Sequence, residues 1–375
     1  MSFKVAVDAR PLSIPTSGIG RYCEEVLKRL LAVNNDIHWY LYSDRPLLPS
    51  WLSDGGAVVT VRTGTLRKRA LSSLYAQWVF PVWAKRDGVN AFWSPRHHLP
   101  IWLPPDVKTI VTIHDLVWKR CPQTMKPLGR TLERLLMPAS LAKADSIMAV
   151  SDATKNDIQS FYPELKSKIS VTPLAGMLNT KCRIGIENGN RIEDPYFLFV
   201  GTSEPRKNLK RILLAFSRIL KMNVSVRRLI ICGGRGWGGE DIQALIESLE
   251  IADNTKITGF VDESELERLY RNAHALIFPS LYEGFGLPIL EAMSFGVPVV
   301  TSNCSSMPEV SGDGALLVNP HSVEEIFTAM LRLATDSELY EALSAASLEN
   351  VKNFSWEKTA MKVQEVISGL ASVYE

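Results

Sequence analysis

Two carboxylates eight positions apart, Glu283 and Glu291, frame a stretch suited to presenting a ligand. Residues 275–301, ALIFPSLYEGFGLPILEAMSFGVPVVT, read as a buried strand from Ala275 to Phe278, a stop at Pro279, a turn eased by Gly284 and Gly286, a helix, and a second apolar strand. Pro288 suits a first helical turn, and the helix continues through Ile289, Leu290, Glu291, Ala292 and Met293. The amides that open it, those of Gly286 and Leu287, are free to donate, and helix N-termini attract anions, phosphate above all. Glu283 lies on the loop and Glu291 just over one turn inside the helix. One carboxylate is placed for a sugar and the other for a ribose, and neither suits the phosphate itself. The spacing equally fits a plainer reading, with Glu283 a favourable charge near a helix start and Glu291 on a solvated face.

Cations stand at a second turn. Arg206 and Lys207 follow a strand at Tyr196 to Val200 and read as opening the helix that carries Leu209, Ile212, Leu213, Phe216 and Ile219 on one face. Positive charge there has the wrong sign for the helix dipole unless a diphosphate occupies the site, where Arg offers a bidentate fork and Lys a point charge. The alternative is a pair of surface cations. In the first half, the strand from Thr109 to Ile113 ends in His114 and Asp115, at the carboxyl edge where open α/β sheets place functional side chains. A satisfied structural histidine fits that position as well. Adjacent His97 and His98 read as loop or packing residues. The glycine-rich run 233–239 lacks the GK[ST] ending of a phosphate loop and reads as a turn. No Asp-x-Asp triplet occurs, so the chain's own cations and helix N-termini must carry any diphosphate charge, and neither metal nor cofactor is expected.

The run from Glu283 to Glu291, Glu-Gly-Phe-Gly-Leu-Pro-Ile-Leu-Glu, together with Gly296, Pro298 and Val299, resembles the donor-site motif of the retaining glycosyltransferases of family four. The resemblance implies an α/β, GT-B fold: two Rossmann-like doubly wound domains facing a central cleft, with a C-terminal helix crossing back to the first domain. It implies that Glu283 contacts donor-sugar hydroxyls, Glu291 holds the nucleotide ribose, and the amides beside Phe285, Gly286 and Leu287, meet the diphosphate. Arg206 and Lys207 would neutralise the leaving diphosphate, the backbone near Val261 would receive the nucleobase, and Gly18 would approach the diphosphate from the first domain. His114 becomes the catalytic candidate of that domain, through its side chain or its carbonyl, with Asp115 orienting it or touching the acceptor. The chain departs from many relatives at Thr202, where an arginine often follows the glycine, which places more weight on Lys207.

The elements that must position these residues follow a βα rhythm. A chain of 375 residues with 46% hydrophobic content exceeds one comfortable core, so two domains are expected. They read as 1–178 with the terminal helix 356–375, a linker over 179–194 where periodicity fails, and 195–355. The strand Phe3 to Val7, the loop 13–21 with Gly18 and Gly20, and the helix carrying Tyr22, Val26 and Leu30 open a Rossmann unit, although a full GxGxxG is missing. Gly20 fits a tight βα turn.

No apolar run reaches the roughly 18 to 20 residues of a membrane span, and the first residues lead straight into a strand, so a cytoplasmic protein is expected. Five scattered cysteines without a CxxC pair argue against a disulfide framework or a zinc site. The net charge of +2 conceals a division: residues 1–180 hold 23 Lys and Arg against 14 Asp and Glu, or +9, leaving 19 against 26, or −7. Seven of nine tryptophans lie in the basic part, and residues 67–86 are basic at both ends and aromatic between. Such a segment suits an anionic bilayer surface better than nucleic acid, and suits equally a core helix with solvated ends.

Within the family, VDAR (7–10), SGIGRY (17–22), the His114-Asp115 pair and EPRKN (204–208) resemble bacterial mannosyltransferases of O-antigen and exopolysaccharide assembly. GDP-mannose is the donor this implies and a lipid-linked oligosaccharide the acceptor. A nucleotide-sugar epimerase of similar shape, or a binding subunit without chemistry, are the rival readings.

Overall fold

A computed structural model describes residues 2–13, 18–33, 36–48, 57–68, 71–176, 194–234, 236–237 and 241–371. The chain forms two compact units, one of Met1–Leu116, Leu128–Leu174 and Ser355–Glu375, the other of Val117–Pro127 and Ala175–Phe354. The excursion 117–127 into the second unit has no signature in the local pattern. The expected linker falls almost wholly outside the described residues.

In chain order the first part carries β1 (Phe3–Asp8), α1 (Gly18–Val33), β2 (Ile37–Ser43), β3 (Val58–Thr63), α2 (Ser72–Asp87), β4 (Ala91–Ser94), β5 (Lys108–Ile113), α3 (Val117–Arg120), α4 (Pro127–Lys143), β6 (Ser146–Ala149), α5 (Asp152–Phe161) and β7 (Ile169–Val171). The strands form one parallel sheet in the order β3-β2-β1-β4-β5-β6-β7. Val5, Ala6 and Val7 of β1 and Ile110, Val111 and Ile113 of β5 have no or almost no exposed surface. Continuous apolar runs of this kind belong to strands covered by helices on both faces. Helix α5 is capped, with Ser151 Oγ accepting from the Thr154 amide at 2.9 Å.

The second part carries β8 (Tyr196–Val200), α6 (Leu209–Ile219), β9 (Arg228–Cys232), α7 (Ile242–Ser248), β10 (Thr255–Gly259), α8 (Glu263–Arg271), β11 (Ala273–Phe278), α9 (Leu287–Met293), β12 (Val299–Ser302), α10 (Met307–Ser311), β13 (Ala315–Val318), α11 (Val323–Thr335) and α12 (Ser337–Val351), before the terminal α13 (Trp356–Ala371). Its parallel sheet runs β10-β9-β8-β11-β12-β13. The apolar face of α6 enters a core with Phe197, Phe199, Val300 and Met330, as its spacing predicts. Helix α13 packs in the first unit: Glu357 pairs with Arg29 of α1 at 2.8 Å, and Thr359 Oγ1 donates to the Pro173 carbonyl at 2.6 Å.

Two local expectations change. Gly18 and Gly20 are not loop residues, because α1 begins at Gly18. Residues 14–17 of that segment lie outside the described residues. Residues 69 and 70 of the 67–86 segment lie outside the described residues, and the helix that follows is a core helix on one face only. Helix α2 buries Ala76, Phe80 and Ala84, while Leu74, Trp78 and Val82 stand 57%, 64% and 64% exposed. Among the described residues, no helix is long and apolar enough to cross a membrane.

Candidate active site

In each sheet the chain's winding direction reverses once, between β8 and β11 in the second unit and between β1 and β4 in the first. Loops leaving the carboxyl ends of two such neighbours run to opposite faces, and the crevice between them is where open α/β sheets take ligands. The motif residues of the second unit gather there. Glu283, on the loop after β11, sits between the two cations of the loop after β8. Arg206 Nη1 donates to Oε2 at 2.6 Å and Lys207 Nζ to Oε1 at 2.7 Å. Arg206 also donates to the Tyr282 carbonyl at 2.8 Å, and the Leu281 amide donates to the Arg206 carbonyl at 2.8 Å. The loops are therefore stitched through backbone as well as charge.

Burial alone would favour the neutral carboxyl of Glu283. The charges of Arg206 and Lys207 outweigh it and hold the group down at about 2. Burial pushes the Lys207 ammonium the other way, below the usual lysine value, with Glu283 partly restoring it. Its Nζ also lies 4.9 Å from the centre of the Phe278 ring.

The sequence misplaced the cations by a few residues. Pro205–Lys207 form a separate 3₁₀ turn, and α6 starts only at Leu209, so neither cation opposes a helix dipole. The junction is Asn208, held at φ 63° with its Nδ2 donating to the carbonyls of Pro279 (2.8 Å) and Pro320 (2.7 Å). Asparagine is among the few side chains that tolerate this left-handed backbone, which is the signal EPRKN offered and the spacing argument did not use. Residues 235, 238 and 239 of the glycine run lie outside the described residues; at Gly233 a Cβ would stand 2.0 Å from the Gly201 carbonyl oxygen. The turn must nestle against the cation-bearing loop, as a turn reading requires.

Glu291 is buried, 6% exposed, and accepts from the Tyr270 hydroxyl at 2.7 Å. The solvated-face reading of Glu291 fails on that burial, and the plain helix-charge reading of Glu283 fails on its two partners. Gly286 caps α9 at φ 105°, with Leu287 and Pro288 opening the helix. Phe285 directs its ring inward onto Phe354, edge to face at 5.9 Å, so only its backbone faces the loop. Sequence reasoning missed Ser305 and Ser306. Both hydroxyls donate to the Glu283 carbonyl, and Ser306 Oγ reaches the Phe285 carbonyl at 2.8 Å, clamping the loop that bears the carboxylate. Val261 lies on the loop that follows β10.

The first unit's crevice is also charged. Asp8, ending β1, takes Arg10 in a fork, from Nε at 2.8 Å and Nη2 at 2.5 Å, with neither side chain more than 5% exposed. His114, beyond β5, is buried, and its Nε2 lies 2.9 Å from the Pro95 carbonyl. A carbonyl only accepts, so Nε2 carries the proton. Burial first, then the positive charges of His97 and Arg96, bring His114 down to about 3. It is a neutral imidazole at any working pH and cannot serve as an imidazolium acid. Asp115 follows it, partly exposed. His97 and His98, expected to be packing residues, both approach Glu133, at 3.5 and 3.0 Å. Burial works against charge on His97 and Glu133 more than offsets it, so this histidine is raised, while burial leaves His98 lowered.

A glycosyltransferase group 1 family model matches residues 185–349, and a glycosyltransferase family 4 model matches residues 16–175. The O-antigen chain mannosyltransferase B of Escherichia coli is 34% identical over 94% of this chain and 96% of its own. The O-antigen chain mannosyltransferase RfbU of Salmonella typhimurium is 30% identical over 71% of this chain and 73% of its own. Among solved structures, sucrose-phosphate synthase from Thermosynechococcus elongatus superposes with a TM-score of 0.77 at 19% identity, covering 99% of this chain and all of that one. With carboxylate, cations and glycine turn assembled on one parallel sheet and both halves matched, the chain belongs to the family-four glycosyltransferases of GT-B fold.

Proposed function

We propose that the protein transfers mannose from GDP-mannose, with retained anomeric configuration, to a hydroxyl of a lipid-linked oligosaccharide in O-antigen synthesis. The observation that carries this reading is the buried Glu283 between Arg206 and Lys207 at the β8/β11 crevice, in a chain similar to O-antigen mannosyltransferases over nearly its whole length. In this reading Arg206 and Lys207 take the charge of the departing diphosphate, and the amides of Gly286 and Leu287 assist. Glu291, oriented by Tyr270, binds the ribose, and the backbone near Val261 receives the base. Glu283 positions the sugar hydroxyls. Gly18 approaches the diphosphate, His114 contributes as a neutral group or through its carbonyl, and Asp115 touches the acceptor.

The test is nucleotide release from GDP-mannose and from other nucleotide sugars, with and without a lipid-linked oligosaccharide. Acceptor-dependent release confined to GDP-mannose is the expected result. Equal isomerisation without acceptor would restore the epimerase reading, and binding without turnover the subunit reading.

The acceptor's lipid implies contact with an anionic bilayer, for which the first unit has a surface. Trp78 of α2 and Trp102, each 64% exposed, stack on one another at 6.1 Å. Val82, Leu128 and Leu135 of the same unit are exposed too, as are the cations Arg67, Lys68, Lys85, Arg86, Arg130 and Arg134. A groove of about 660 Å³ walled by these rings adjoins Val89, Asn90 and Val107, which lead into β4 and β5. It thus lies at the amino ends of the strands, away from the charged crevice, and belongs with the surface rather than with the chemistry. Sedimentation with phosphatidylglycerol vesicles should fall several-fold for Trp78→Ala/Trp102→Ala, and unchanged partitioning of that variant would remove the membrane reading.

A further inference from the structure

The β1/β4 crevice of the first unit holds a cation, Arg96, that no carboxylate engages among the described residues. Arg96 leaves the carboxyl end of β4 on a turn pinned by Ser94, whose Oγ lies 2.9 Å from the Arg96 carbonyl and 2.8 Å from that of His98. The side chain is only partly exposed. Four groups of opposite or like charge act on it: Arg10, Asp8, Glu133 and Asp44. Each carboxylate among them is already engaged. Asp8 is forked by Arg10, Asp44 by Arg45 at 3.1 and 3.0 Å, and Glu133 by His97 and His98. Among the described residues, the Arg96 guanidinium makes no hydrogen bond and no ion pair. Five N–H donors in a partly buried setting without an acceptor are costly, and such groups are kept where a ligand supplies the acceptor.

A second polar atom nearby is also unmatched. His97 turns Nδ1 to Glu133, and its Nε2 is buried with no partner among the described residues. Burial and the neighbouring Arg10 depress Arg96, yet a guanidinium remains charged, so Arg96 brings a positive charge to the crevice. The place itself is the reversal point of a seven-stranded doubly wound sheet, where a ligand is expected on topology alone.

We propose that Arg96 in the β1/β4 crevice is an anion-recognition site that binds the phosphate joining the acceptor saccharide to its lipid. The inference rests on the lipid-linked acceptor proposed above and adds to it the group that reads the linkage. Guanidinium and phosphate pair through two parallel hydrogen bonds, so Arg96 distinguishes a phosphate-linked glycan from the same glycan on a neutral aglycone. The donor diphosphate has its own cations, Arg206 and Lys207, in the other unit.

The experiment compares two acceptors with one saccharide, carried either on an alkyl diphosphate or as a neutral alkyl glycoside. In Arg96→Gln the KM for the diphosphate-linked acceptor should rise roughly 10- to 100-fold, while the KM values for the glycoside and for GDP-mannose stay within about two-fold. Arg96→Lys should recover part of the loss. An equal rise for both acceptors would reduce Arg96 to a structural residue, and a rise confined to the donor would assign the anion to the nucleotide; either overturns the proposal. Should Arg96→Gln melt early, Arg96→Lys and competition on the unaltered enzyme decide. At saturating GDP-mannose, which keeps pyrophosphate from the Arg206 and Lys207 site, inorganic pyrophosphate should then inhibit use of the diphosphate-linked acceptor more strongly than use of the glycoside, and equal inhibition counts against the site. If neither acceptor is mannosylated, the transferase reading fails separately. Calorimetric titration of pyrophosphate into wild type and Arg96→Lys still tests the site, and identical isotherms overturn it.

Discussion

The two crevices are built on the same plan and differ in how their charge is balanced. In the second unit a single buried carboxylate, Glu283, engages both Arg206 and Lys207. In the first, Asp8 is committed to Arg10, and Arg96 is left without a hydrogen-bonding partner among the described residues. A cation held by an internal carboxylate is preorganised and can exchange that partner for a ligand at modest cost. A cation without one waits for the ligand to complete it. The same sheet topology thus yields one crevice that stores its charge and another that leaves it open.

Removing the carboxylates gives the largest effect and tests whether the stored charge is structural. Asp8→Ala and Glu283→Ala should each destabilise by about 3 to 5 kcal/mol, the usual cost of leaving a buried cation unpaired, read from denaturant midpoints. A neutral Glu283→Ala would mean that the second crevice relaxes freely, and the contrast with the first would fail. Next in size, Lys207→Ala should lower kcat/KM for the donor by about 100-fold while leaving discrimination between the two acceptors intact, which steady-state kinetics would show.

The pH dependences should be opposite in sign. Glu283 is held at about 2 against an ordinary 4.5, so its contribution is present above 4.5 and lost as pH falls towards 2. His97 is raised, so its contribution is complete below about 6.5 and is lost as pH rises through its folded value. Melting temperatures from pH 3 to 9 should show Glu283→Gln losing part of the acid limb and His97→Gln part of the alkaline limb. Smallest of all, Tyr270→Phe removes one hydrogen bond to Glu291. It should cost about 1 kcal/mol and raise the donor KM a few-fold, and a larger loss would make Glu291 the dominant donor contact.

Local pattern carried the reading of the sheets well. Runs such as YFLFV and ALIF announce strands because a parallel sheet buries both faces and leaves no alternation to disguise them. The Glu283 to Glu291 stretch was equally plain, since a strand, a glycine turn and a proline-led helix all leave marks within a dozen residues. Asn208 was visible only to conformational reasoning, as an asparagine standing where the backbone must turn left-handed. Ser305 and Ser306 left no such mark, because a hydroxyl that clamps a loop twenty residues away looks like any other serine.

By itself the sequence determined the doubly wound α/β class, the strand, turn and helix that carry Glu283 and Glu291, and the family, because these rest on periodicity and on residues close together in the chain. Only the tertiary structure decided that Glu283 joins Arg206 and Lys207 across more than seventy residues, that His114 is held neutral with its proton on Nε2, and that Arg96, among the described residues, lacks a carboxylate partner such as Arg10 possesses. Those outcomes depend on which strands become neighbours and how deeply their ends are buried, and burial and distance set charge states in a way that no local spacing records.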